Sequence, residues 1–82
     1  MPYTMTKFRY LLILHRIHTG EQQYVVAGMT QIHPTIISHY AQGKRAISSL
    51  HMIKLCNYLK VNPEDLVGEI TIPTEEYEEI TG

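Results

Sequence analysis

Gln23-Tyr24-Val25-Val26-Ala27-Gly28-Met29-Thr30-Gln31-Ile32-His33-Pro34-Thr35-Ile36-Ile37-Ser38-His39-Tyr40-Ala41-Gln42-Gly43-Lys44-Arg45 is the stretch whose reading decides the fold. Pro34 has no amide to donate, so it suits the first position of a helix, and it pushes the residue before it out of the helical region. The chain therefore breaks ahead of Pro34. On the near side, Gln22 to Met29 reads as a short helix with Val25, Val26 and Ala27 partly inward. On the far side a helix of about two turns places Ile37 and Tyr40 on one face, and Gly43 ends it. Two short helices joined by so tight a connection form a helix-turn-helix.

Outward from this pair, Thr6 to His18 predicts a first helix, with Phe8, Leu11, Leu12 and His15 at helical spacing and Gly20 as its stop. Ser48 is the N-cap of a fourth helix whose Met52, Leu55, Cys56 and Leu59 form an apolar stripe. Asn62-Pro63-Glu64-Asp65 has a capping side chain, a first-turn proline and acids at the positive end of the dipole, and predicts a short fifth helix closing near Gly68. Glu69 to Gly82 mixes β-branched residues, Pro73 and a Glu-rich end. It reads as an extended arm, a small helix after Thr74, or a disordered tail. The expected architecture is all-α, with five short helices in a helix-turn-helix domain over 1–68 and an acidic C-terminal tail over 69–82 that is a candidate dimerisation arm.

Eighty-two residues with 44% apolar content allow one core and leave little room for a buried catalytic cleft. A single cysteine, Cys56, makes no internal disulfide and suits a reducing, cytoplasmic setting. No apolar run approaches the roughly 20 residues that cross a bilayer, and the N-terminus lacks the order of a secretory signal. The net charge of −1 conceals two unlike segments: residues 1–68 carry all seven Lys and Arg against three acids, whereas 69–82 carry five Glu and no base. Between Gln22 and Pro63 there is no acidic side chain, a distribution that favours an anionic partner.

Gln23 with Ala27 four positions on, then Ile32, Ile37, Ser38, Gly43, Lys44, Arg45 and Ser48, then Leu59, Val61 and Leu66, stand at the spacing of the lambda-repressor-like helix-turn-helix family. Over about Leu12 to Leu66 the chain resembles these Cro/C1-type, XRE-like regulators of phages and bacteria. The resemblance implies a transcriptional regulator, a repressor by type and of phage or mobile-element kind, that binds double-stranded operator DNA with helix 3 in the major groove. It implies that Gln23 contacts a phosphate at the start of helix 2, that Pro34, Thr35, Ser38 and His39 face the groove, and that Lys44 and Arg45 meet phosphates. Thr35 and His39 have the side-chain chemistry to touch base edges.

The departures matter too. Gln31 stands where the family favours glycine, so it adopts a left-handed conformation or the turn differs. Arg16 stands at a family arginine whose glutamate partner is replaced here by Ala41, which leaves it to solvent, a backbone carbonyl or, as we expect, a phosphate. Pro34 and Ile36 put apolar surface where DNA readers often carry polar groups. Together with Ile37, the low total charge and the acidic tail, they motivate an alternative, a protein-binding module that modulates a partner regulator. One short reading helix covers few base pairs, so a homodimer is expected, with Leu66 of the fifth helix and the alternating Ile70 and Ile72 at its interface through cross-chain strand pairing. The five histidines share no metal-ligand spacing, Cys56 sits in an apolar stripe, and the terminal glutamates read as solvated charge. No catalytic residue, metal or cofactor is expected.

Overall fold

The computed structural model describes residues 1–82. The order is β1 (Tyr3–Thr6), α1 (Lys7–Thr19), α2 (Gln23–Thr30), α3 (Pro34–Ala41), α4 (Ser49–Leu59), a 3₁₀ turn (Pro63–Asp65), β2 (Glu69–Ile72) and α5 (Thr74–Thr81). The chain is thus mostly helical, as its periodicities predict, with a small antiparallel sheet added.

Each of the first four helices is ended by a left-handed residue, the conformation that lets late amides reach back to otherwise unpaired carbonyls. Gly20 (φ 78°) does this for α1 and Gly43 (φ 75°) for α3. For α2 the residue is Gln31 (φ 57°), after which the Ile32 amide donates to the Ala27 carbonyl at 3.1 Å. Lys60 (φ 61°) repeats the arrangement after α4, with the Val61 amide donating to the Cys56 carbonyl at 3.2 Å. Of the two turns open at Gln31, the structure has the left-handed one. A side chain in this region is strained by roughly 1 kcal/mol relative to glycine, and Gln31 and Lys60 are both exposed, so they contribute little packing in return. Gln31→Gly and Lys60→Gly are therefore each expected to stabilise the fold by about 0.5–1 kcal/mol, read as a raised urea midpoint at unchanged slope.

The core lies where α1, α2, α3 and α4 meet. Phe8 and Leu12 enter from α1, Val26 and Ala27 from α2, Ile37 and Tyr40 from α3, and Leu55 from α4, with Ile32 and Leu66 packing in from the connections. Ile37 and Leu55 have no exposed surface. Thr30, the one buried polar side chain, is satisfied by donating to the Val26 carbonyl at 2.7 Å. Thr6 ties three elements together. It pairs with Glu69 in the sheet, its hydroxyl accepts the Arg9 amide at 3.0 Å to cap α1, and it donates to the Ala41 carbonyl at 2.6 Å, fastening the end of α3.

Three details differ from the sequence reading. The expected fifth helix is only the turn Pro63–Asp65, in which the Asn62 amide donates to Asp65 Oδ2 at 3.0 Å. It goes no further because Leu66 drops into the core and Gly68 (φ 93°) redirects the chain. Of the three readings open for residues 69–82, the small helix after Thr74 is present as α5, and the detail that differs is that it and the strand before it fold onto the rest of the chain. The Ile70–Ile72 alternation does produce a strand, but β2 pairs within the chain, with Tyr3 opposite Ile72 and Met5 opposite Ile70. That register puts Tyr3, Met5, Ile70 and Ile72 on one face and leaves Thr4 and Thr71 on the other, their hydroxyls 2.9 Å apart. Met5 and Ile72 are buried. α5 closes this end, stacking Tyr77 on Tyr3 (ring centroids 3.7 Å apart, planes at 8°), while the Tyr10 hydroxyl donates to Glu76 at 2.6 Å.

Candidate nucleic-acid interface

α3 starts as its sequence requires. Pro34 occupies the first turn, and the His33 ring Nδ1 accepts the Thr35 amide at 3.1 Å, capping the helix. Buried Ile37, Tyr40 and Ala41 fix the inner face, so the turn that begins with Pro34 and Thr35 is exposed. Ser38 and His39 follow one turn later, both half-buried. The Ser38 hydroxyl accepts from Gln42 Nε2 at 3.2 Å, which fixes its position on the rim of the helix. Ile36 is half-buried and packs against the core, whereas Pro34 is exposed, so the apolar surface at this helix is narrower than the sequence suggests.

The α3 scaffold is anchored to α4 through Tyr40, whose hydroxyl lies 2.6 Å from His51 Nδ1. The loop between these helices carries Lys44 and Arg45, both exposed. Gln23 is the first residue of α2 and is exposed, and Gln22 before it makes no side-chain cap, its carbonyl instead accepting the Val25 amide at 3.0 Å. Gln23, Ser38 and Gln42 share a cleft of about 260 Å³. The structure thus brings Gln23 and Ser38 together, with Thr35 at the start of the same helix and Lys44 and Arg45 just beyond its end.

Arg16 is exposed on α1 and makes no ion pair, in keeping with the loss of its partner at Ala41. Arg9, which the sequence reading passed over, lines the same cleft as Gln23 and Ser38. Its signal in the sequence is the i, i+7 spacing with Arg16, which sets both on one side of α1. The dimer candidates are placed differently. Leu66 and Ile72 are buried inside their own chain, and Ile70 is half-buried on the face covered from the α5 side, so the first two cannot contact a second chain without leaving the core.

The start of α2 is held by a cluster that also responds to pH. Glu21 accepts from the Tyr58 hydroxyl at 2.5 Å and lies 2.8 Å from His15 Nε2, which joins α1, α2 and α4. Tyr58 first, and His15 second, hold the Glu21 carboxyl below the usual carboxylate range, and the same bond raises the Tyr58 phenol above its ordinary value. A carboxylate with a lowered folded pKa contributes stability that is present above its ordinary pKa and lost as pH falls through the lowered value. A raised phenol contributes stability that is present below about 10 and lost as pH rises through the raised value. Tyr58→Phe is expected to lower the urea midpoint between these limits, with the gap to the unsubstituted protein narrowing towards acid pH. Cys56 has its thiol pushed up by burial and then by Asp65, the opposite of what a reactive thiolate needs.

No helix is long and apolar enough to cross a membrane. The crystal structure of the restriction-modification controller protein C.AhdI from Aeromonas hydrophila superposes with a TM-score of 0.60 at 24% identity, covering 76% of this chain and 94% of that one, a likeness of fold. No curated protein matches the sequence. The family model described as HTH_3, helix-turn-helix, matches residues 20–66, more than half of the chain and the segment that contains α2, α3 and α4. With that span matched, the chain belongs to the HTH_3 helix-turn-helix family and is a DNA-binding transcriptional regulator rather than an enzyme.

Proposed function

We propose that the protein is a sequence-specific operator-binding repressor that acts as a homodimer, with α3 in the major groove. The observation that carries this reading is the exposed first turn of α3, with Pro34 and Thr35, flanked by Gln23 on one side and by Lys44 and Arg45 on the other. Thr35 and His39 read base edges; Gln23, Lys44 and Arg45 meet phosphates and set the register of α3. No acidic side chain interrupts Gln22 to Pro63, so the whole segment approaches DNA without repulsion. The likeness to a controller protein fits a regulator of this size.

A dimer multiplies the few base pairs one short helix covers and implies two half-sites about one DNA turn apart. Because Leu66 and Ile72 are occupied in their own core, the dimer contact falls to exposed side chains and to the free edge of β2. The test is selection from a random duplex library followed by sequencing. A recovered inverted repeat supports the reading, whereas no retention at low salt overturns it in favour of a protein-binding module.

A further inference from the structure

Beside the reading helix lies a second groove, of about 390 Å³, bordered by Arg9 and Arg16 of α1, Gln22 and Gln23 at the start of α2, and Tyr77 and Thr81 of α5. We propose that this groove holds the DNA backbone, so that Arg9 joins Arg16, for which a phosphate contact was already expected, in a second row of phosphate contacts outside the helix-turn-helix, and α5 forms the outer wall of the interface. The proposal rests on the DNA-binding reading above and extends it to residues on α1 and α5.

Two arginines share the groove, and neither makes an ion pair. A guanidinium left free beside polar groups is matched to phosphate oxygens, which it can bind in bidentate fashion. Arg9 and Arg16 stand two turns apart, about 10 Å along the helix, far enough to meet separate phosphates of one strand. The lining contains no carboxylate, although α5 is the most acidic element in the chain. Tyr77 and Thr81, four residues apart, give α5 a face without acids, and that is the face turned to the groove. Glu76 is engaged instead by the Tyr10 hydroxyl.

Continuity with the reading surface identifies the occupant. Arg9 and Gln23 line both this groove and the cleft that contains Ser38 and Gln42, so one unbroken path runs from α3 across the start of α2 to α1. A strand whose phosphate meets Gln23 is led along that path past Arg9 and Arg16.

The test is a salt titration by fluorescence anisotropy with a labelled random-sequence duplex, using the full chain and Arg9→Ala, Arg16→Ala and Arg9→Lys, with Lys44→Ala/Arg45→Ala as reference. Each alanine variant is expected to reduce the slope of log affinity against log salt by about one, and the pair of them to weaken binding roughly tenfold, with the slope kept in Arg9→Lys. Both side chains are exposed, so far-UV circular dichroism and the urea midpoint stay unchanged. Slopes equal to that of the unsubstituted protein in Arg9→Ala and Arg16→Ala, while the Lys44/Arg45 reference loses slope, overturn the groove and leave the operator reading standing. Absence of duplex binding by the unsubstituted chain at low salt overturns both.

Discussion

Lys44→Ala/Arg45→Ala is expected to weaken DNA binding by roughly 10- to 100-fold at moderate salt and to reduce the slope of log affinity against log salt by about two. Both side chains are exposed in the loop that follows α3, and neither has a carboxylate partner, so their charge is available to phosphates. The loss comes from two charge-assisted contacts and the counterions they release, terms that do not depend on base sequence. The sequence recovered by selection should therefore remain the same while every duplex is bound more weakly. Gly43 is left unaltered because its φ of 75° sets the path of the loop, and any side chain there is strained. Anisotropy titrations at two salt concentrations check the prediction. An unchanged slope would move the basic contribution away from this loop.

The readable parts of the fold were those in which local chemistry and packing demand the same thing. Pro34, Gly43, Ser48 and the apolar spacing around Ile37 and Leu55 each fix a helix end or an inner face on their own, and the helices lie where these residues put them. The C-terminal region was harder because its structure depends on a partner far away in sequence. Glu69 to Ile72 has the alternation of a strand, but the alternation is equally compatible with a second chain. Only the proximity of Tyr3 to Thr6, brought alongside as α1 packs, makes β1 its partner. The helix expected after Asn62 failed for a similar reason: burial of Leu66 outweighs the good start that Pro63, Glu64 and Asp65 provide.

The candidate site divides the same way. Gln23, Thr35, Ser38, Lys44 and Arg45 were candidates through the family resemblance, which assigns roles by position relative to α2 and α3, and the structure places them at the ends and rim of those helices. Arg9 was not, because its nearness to Gln23 and Ser38 depends on how α1 crosses the helix pair, which no local pattern encodes. The α5 wall was further from view, since Glu75 to Glu79 read as a solvated acidic run. The side chains that decide its place are the two tyrosines, Tyr3 and Tyr77, that stack face to face across the ends of the chain.

Ile37→Ala is expected to cost about 2–5 kcal/mol of stability, by lost burial and by the cavity left behind. Ile37 has no exposed surface and holds the inner face of α3 against the core formed with Val26 and Leu55. A domain of this size has on the order of 5–10 kcal/mol in all, so the substitution removes a large share of it. Under the proposed operator-binding role the same contact would set the angle at which α3 meets DNA, so operator binding should fall further than the unfolded fraction alone accounts for. Ile37→Val keeps the branched shape and should cost only about 0.5–1.5 kcal/mol, with binding retained. Ile36→Ala, at a half-buried position, should lie between unsubstituted protein and Ile37→Ala. Urea denaturation of the three variants at constant slope, with anisotropy measured well below each midpoint, separates the two effects. If Ile37→Ala and Ile36→Ala shifted the midpoint equally, α3 would not be seated through Ile37, and the orientation assigned to Thr35 and His39 would fail with it.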